Sequence, residues 1–139
     1  MEAKFSDKGF LLRFSSGEDF EESLKAFCGE HRISSATFSG IGQTKTLTLS
    51  YWDSKEKQYN DTYFEEELEI VSLTGNVALY NQQLFIHSHG SFGKSDLSTV
   101  SGHITQLSVG ATLELFLTDL NVTLERTLDE VTGLKLLNI

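Results

Sequence analysis

The chain has 139 residues, with 11 basic and 20 acidic side chains and a formal net charge of −9. That length is one domain, and a field of that sign works against a broad electrostatic grip on phosphate backbones. The single cysteine, Cys28, excludes an internal disulfide and the zinc motifs built from cysteine pairs.

No stretch approaches the ~18 apolar residues of a spanning helix, and the N-terminus lacks the apolar core of a secretory signal. The expectation is a soluble cytoplasmic protein. Proline is absent, so charge, bulges or a partner subunit must protect exposed strand edges.

From Gly9 to Ser15, Phe10, Leu12 and Phe14 alternate with Leu11, Arg13 and Ser15, which predicts a strand. The period then changes. Phe20, Leu24, Phe27 and Cys28 fall on one face of a helix, expected from about Glu18 to Glu30. Ser16 and Asp19 have capping-box spacing, and Glu18, Asp19, Glu21 and Glu22 suit the positive end of its dipole. Ile33 to Trp52 reads as strand, interrupted at Gly40-Ile41-Gly42 by a bulge, a bend or a close backbone approach.

Asp53 to Gln58 fits a hairpin loop, with Tyr59 to Glu65 as the returning strand. Leu68 to Tyr80 carries apolar residues on both faces and predicts a central strand covered twice, with Glu69 breaking the pattern. Asn81-Gln82-Gln83 is a turn into a strand over Leu84 to Gly90. Ser91 to Thr99 reads as a polar loop or one helical turn, Ala111 to Leu120 as a strand, and Asn121 to Ile139 as one or two short strands and a tail. The order predicts one α+β domain over residues 1–139, its mixed but mostly antiparallel sheet covered by one or two helices.

Three of the four histidines, His87, His89 and His103, fall in one region. His87 and His89 lie at i and i+2 of a predicted strand, so both side chains leave the same face. Two imidazoles so placed can converge on one ion, and Gly102 lets the segment carrying His103 approach closely. Three histidine ligands leave a fourth position open, as in catalytic zinc sites. The competing reading is a set of surface or hydrogen-bonded histidines.

Other candidates carry less. Cys28 reads as a packed core thiol. Gly40-Ile41-Gly42 lacks the third glycine of a dinucleotide fingerprint, and none of Ser39, Ser88 and Ser101 sits in a nucleophile elbow. Glu65-Glu66-Glu67 reads as a solvated strand end. Glu69, a carboxylate between apolar neighbours, needs a partner. It is a candidate fourth ligand, general base or member of a buried ion pair.

Taken in order, Arg13-Phe14, Gly17-Glu18-Asp19, Phe38-Ser39-Gly40-Ile41-Gly42, Glu69 to Asn76, His87-Ser88-His89 and Gly102-His103 resemble the PPC domain conserved between plants and prokaryotes. The likeness spans about Phe10 to Leu117. It implies a central, largely antiparallel sheet, a homotrimer, and a metal site, usually zinc, carried over onto His87, His89 and His103. The family is also described as DNA-binding, chiefly through plant members with separate basic AT-hooks. This chain has no such hook. Glu66 to Ile70 stands where plant members carry Gly-Arg-Phe-Glu-Ile, with an acid in place of the base, and Ser101-Gly102 replaces paired glycines.

Two function classes follow. One is a trimeric metal-binding domain acting on or binding a small molecule, as a hydrolase or lyase if it is an enzyme, with Glu69 a candidate base. The other is a DNA-associated regulatory module without an AT-hook. It would need a local basic patch such as Lys8, Arg13 and Lys25, or Lys55 and Lys57.

Overall fold

The alternation over Gly9–Ser15 forms a strand whose Leu12 and Phe14 are buried while Leu11 and Arg13 face outward. It belongs to a computed structural model that describes all 139 residues. In chain order the elements are β1 (Glu2–Ser6), β2 (Gly9–Ser15), α1 (Phe20–Glu30), β3 (Ala36–Asp53), β4 (Gln58–Phe64), β5 (Leu68–Tyr80), β6 (Gln83–Gly93), β7 (Thr99–Asp119), β8 (Arg126–Leu128) and β9 (Lys135–Leu137). The result is a single small domain of one large antiparallel sheet and one helix, more strongly β than an α+β reading implies.

The expected helix is present, displaced at its start. Asp19 is the N-cap, and its carboxylate accepts from the Glu22 backbone N–H at 2.9 Å. Ser16 therefore lies too early to cap, and Glu18 instead accepts from the Ser15 N–H. Phe20, Leu24, Phe27 and Cys28 are the buried residues of α1, as their spacing requires. They join one apolar core with Leu12, Phe14, Phe38, Leu73, Phe92, Leu113 and Leu115.

The main sheet runs β1-β2-β7-β6-β5-β3-β4, with β7 also paired to β3. Every strand pair in it is antiparallel, so the parallel component of a mixed sheet is not found. The extra β7–β3 pairing closes β3, β5, β6 and β7 into a ring around part of the core. Closure demands close backbone approach at the paired glycines of β3. A Cβ on Gly42 would stand 2.1 Å from the Thr112 carbonyl oxygen, and one on Gly40 would stand 2.7 Å from that of Glu114. The β3–β5 register also shifts between Gly40 and Gly42.

Three expectations change. First, β5 is covered twice only in its second half. Glu69, Val71 and Ser72 are exposed while Leu68, Ile70 and Leu73 are buried, so the first half packs on its inner face alone, whereas the neighbours Val77 and Ala78 are both buried where β8 lies beside the strand. Second, residues 91–99 are not a loop throughout. β6 continues to Gly93 and β7 starts at Thr99, leaving a short turn around Lys94–Ser98. Third, β7 begins twelve residues before Ala111. Its early half escaped the periodicity because register shifts against β3 at Gly42/Thr44 and Thr48/Leu49 put extra residues into β7 and break the two-residue alternation. The hairpin at Asn81-Gln82 is as expected, with φ of 51° and 63° at the two residues, as a primed two-residue turn requires.

Candidate metal centre

The ring of strands brings the three histidines together. His89 on β6 is the direct cross-strand partner of His103 on β7. His103 also pairs with Ser50 on β3. His87 lies two residues before His89, opposite Asn76 of β5. Ser88, between them, points into the core and is buried. Each pair of imidazole rings has centroids 5.2 Å apart. His87 Nε2 and His89 Nε2 are 3.3 Å apart. One ring nitrogen from each histidine lies within 4.8 Å of the other two.

The His87–His89 separation suits a common ion, with His103 within reach of it. Two ligands at 2.0–2.1 Å in a tetrahedral shell stand about 3.3–3.4 Å apart, which is the His87–His89 separation. His103 Nδ1 is buried and makes no hydrogen bond, so part of its bonding capacity is uncommitted. Protonation does not compete strongly at two of the three rings. Burial, followed by the charge of Arg126 and then by His103 and His89, pushes His87 down to about 4. Burial and then His89 lower His103, against the pull of Glu21 and Asp61. Both rings are therefore neutral near pH 7, the state in which imidazole binds metal. The donor set fits a divalent transition ion with an open position.

The histidines form part of the wall of a cleft of about 710 Å³, within the size range of small-molecule sites. Tyr59 from β4 stacks on His103, with centroids 4.9 Å apart and planes at 19°, and Trp52 packs edge-on against Tyr59. On the other side, Arg126 of β8 donates from Nη1 to the Lys135 carbonyl at 2.6 Å and from Nη2 to Asn76 Oδ1 at 2.7 Å. A further Arg126 Nη2 contact reaches His87 Nδ1 at 3.4 Å.

Glu69 is not brought to this site. It is exposed on β5, where Gln43 Nε2 donates to it at 3.3 Å, and it does not line the cleft. Cys28 is a buried core thiol. Arg126 and Tyr59 were not singled out by pattern. Tyr59 reads only as a strand residue, and Arg126 sits in a segment with no periodic signal.

The chain matches the model of the Plants and Prokaryotes Conserved (PCC) domain over residues 1–121. No curated protein sequence matches it. Among solved structures, a Bacteroides thetaiotaomicron protein to which DNA binding is ascribed is 31% identical, with a TM-score of 0.94 over 99% of this chain and 96% of its own. A metal-containing protein of Archaeoglobus fulgidus is 34% identical, with a TM-score of 0.86 over 98% and 97%. A plant- and prokaryote-conserved protein of Pyrococcus horikoshii is 30% identical, with a TM-score of 0.87 over 93% and 90%.

Proposed function

Because the chain belongs to the Plants and Prokaryotes Conserved domain family, we propose that it is a metal-binding domain in which His87, His89 and His103 hold a divalent ion. The observation that carries this reading is the convergence of three imidazole nitrogens within 4.8 Å on the wall of a cleft. Zinc suits three neutral nitrogen donors with an open position. That a 34% identical relative is named a metal-containing protein agrees with it. Bound there, the ion would supply Lewis acidity toward an oxygen of a small molecule in the cleft.

The chain's own residues would do the rest. Tyr59 holds the plane of His103, Trp52 backs Tyr59, and Arg126 anchors β8 beside His87 through Asn76. The reading extends the domain over residues 1–139, since Arg126 and Lys135 lie beyond the family match yet line the cleft. It also includes a homotrimer, supported by apolar residues exposed on the outer sheet face, and a cytoplasmic setting, which suits the lone unpaired thiol.

Elemental analysis of protein purified without a histidine tag tests the metal. Near-stoichiometric zinc, lost in His87→Ala and His103→Ala, is expected. No metal as purified, and none taken up on addition, sinks the reading. A second reading, a DNA-associated module, rests on the 31% identical relative to which DNA binding is ascribed. The net charge of −9 opposes it. Its signature would be an affinity for duplex DNA falling steeply with salt.

A further inference from the structure

Arg126 is a cation without a counter-ion. The residue is 7% exposed, and none of the chain's ion pairs includes it. A guanidinium cannot shed its proton to escape burial. Its Nη groups hold the Lys135 carbonyl and Asn76 Oδ1, both neutral acceptors, while Nε has no hydrogen-bond partner. A buried charge in that condition is costly unless an opposite charge completes it.

The rest of the cleft adds charge of the same sign. Lys135 Nζ sits 4.5 Å from the Tyr80 ring centroid and 4.8 Å from that of Phe85, with no acidic partner. Glu21, the one acid lining the cleft, is tied to Lys25 at 2.5 Å. In a chain of net charge −9, this cleft reverses the sign of the molecule. Aromatic side chains from three strands complete its wall.

We propose that the cleft binds a small organic monocarboxylate, its charged end at Arg126 beside His87 and its apolar body along Trp52, Tyr59 and Phe85. Lys135 is exposed and solvated, whereas Arg126 is the one buried positive charge without a partner, and it calls for one negative charge. Nη1 keeps a second N–H beside the one given to the Lys135 carbonyl, and a carboxylate that accepts it makes a charge-assisted hydrogen bond, the stronger kind. The aromatic wall selects for an apolar body over a bare inorganic anion. The proposal rests on the metal reading for its location beside the histidines, but Arg126 carries its charge with or without an ion.

The test uses sodium benzoate as probe and benzamide as its neutral counterpart, titrated calorimetrically into the full chain, metal-free and zinc-loaded. Benzoate is expected to bind both forms, at least about tenfold tighter than benzamide, the worth of one hydrogen bond to a charged group. Arg126→Gln is expected to erase that preference. Benzamide binding as tightly as benzoate, or Arg126→Gln binding benzoate like the unmodified chain, overturns the proposal. So does benzoate binding to neither form, as when a carboxylate of a second copy already covers Arg126, or inorganic phosphate outcompeting benzoate. Should Arg126→Gln not fold, the benzoate–benzamide comparison on the unmodified chain decides alone. Arg126-dependent benzoate binding by a chain that takes up no zinc sustains this proposal and removes the metal reading.

Discussion

Tyr59 stacks on the imidazole of His103 at a centroid separation of 4.9 Å and an interplanar angle of 19°. The contact joins β4 to β7 across the edge of β3, and it restrains the one histidine of the three that comes from a different strand. His87 and His89 share β6 and need no help to stay in register. His103 has a buried Nδ1 with no hydrogen bond to fix its ring, so stacking takes over the orienting role that a hydrogen bond plays in many metal sites.

Removal of that contact should weaken metal binding without abolishing it. An aromatic pair contributes about 0.5–1.5 kcal/mol beyond its area, so Tyr59→Ala is expected to raise the zinc dissociation constant by roughly two- to tenfold. Tyr59→Phe keeps the ring and should bind zinc like the unmodified chain. Competition with a chromophoric chelator measures both. Equal affinity for all three proteins would show that the stack does not position His103.

Cys28 should be chemically silent in the native state. Burial, with the charge of Asp119 second, pushes its thiol from 9.0 up to about 12. The thiolate is the reactive species, so alkylation by iodoacetamide at pH 8 should proceed only as fast as the chain opens. The same shift carries a sign for stability. The unfolded thiol ionises near 9 and the folded one near 12. The contribution is therefore fully present below pH 9 and is lost as pH rises toward 12. Cys28→Ala should show a shallower loss of urea midpoint between pH 8.5 and 10.5. Rapid labelling of the folded chain would contradict the buried placement.

How much was legible follows from where each signal lives. The helix was readable because four apolar residues repeat at its period, and the capping chemistry erred only in choosing Ser16 over Asp19. The histidine spacing announced a shared face because strand geometry makes i and i+2 neighbours. Two things were not readable. Glu69 looked buried because Leu68, Ile70, Val71 and Leu73 are all apolar, yet Glu69, Val71 and Ser72 in the first half of β5 all lie exposed on the surface. Arg126 gave no local sign, since its meaning comes from Asn76, 50 residues away, and from His87, 39 away.

The β3–β7 crossing should tolerate no side chain at Gly42. An added Cβ would meet the Thr112 carbonyl oxygen at 2.1 Å and the Leu113 Cα at 2.8 Å, both backbone atoms of a paired strand. Neither can move without opening the ring of strands. Gly42→Ala is expected to cost about 2 kcal/mol or more, as overpacking does when backbone must shift. Gly29 is the control. It lies in α1 with nothing within 4 Å of its would-be Cβ, so Gly29→Ala should be neutral or stabilise by up to about 1 kcal/mol. Urea denaturation of the two variants reads both signs. A Gly42→Ala protein as stable as its parent would refute the close packing of β3 on β7.

The outer face of the sheet points to self-association. Phe116 on β7 pairs with Leu11 on β2 and Ser39 on β3. Phe116 is 59% exposed and Ile41, on the neighbouring row, 58%. Leu11 and Phe116, both exposed and directly paired on adjacent strands, form an apolar patch of the kind that marks a contact surface. Scattered single residues would carry no such meaning. With no proline to guard its edges, the sheet has the more reason to be covered by copies of itself. Phe116→Glu should therefore lower the molecular mass seen by light scattering while leaving the far-ultraviolet circular dichroism unchanged. Val131→Glu alters a residue 82% exposed in the loop between β8 and β9, and should leave the mass as it was. An unmodified chain that runs as a monomer at high concentration would end the trimer reading, and a trimer indifferent to Phe116→Glu would move the contact to another face.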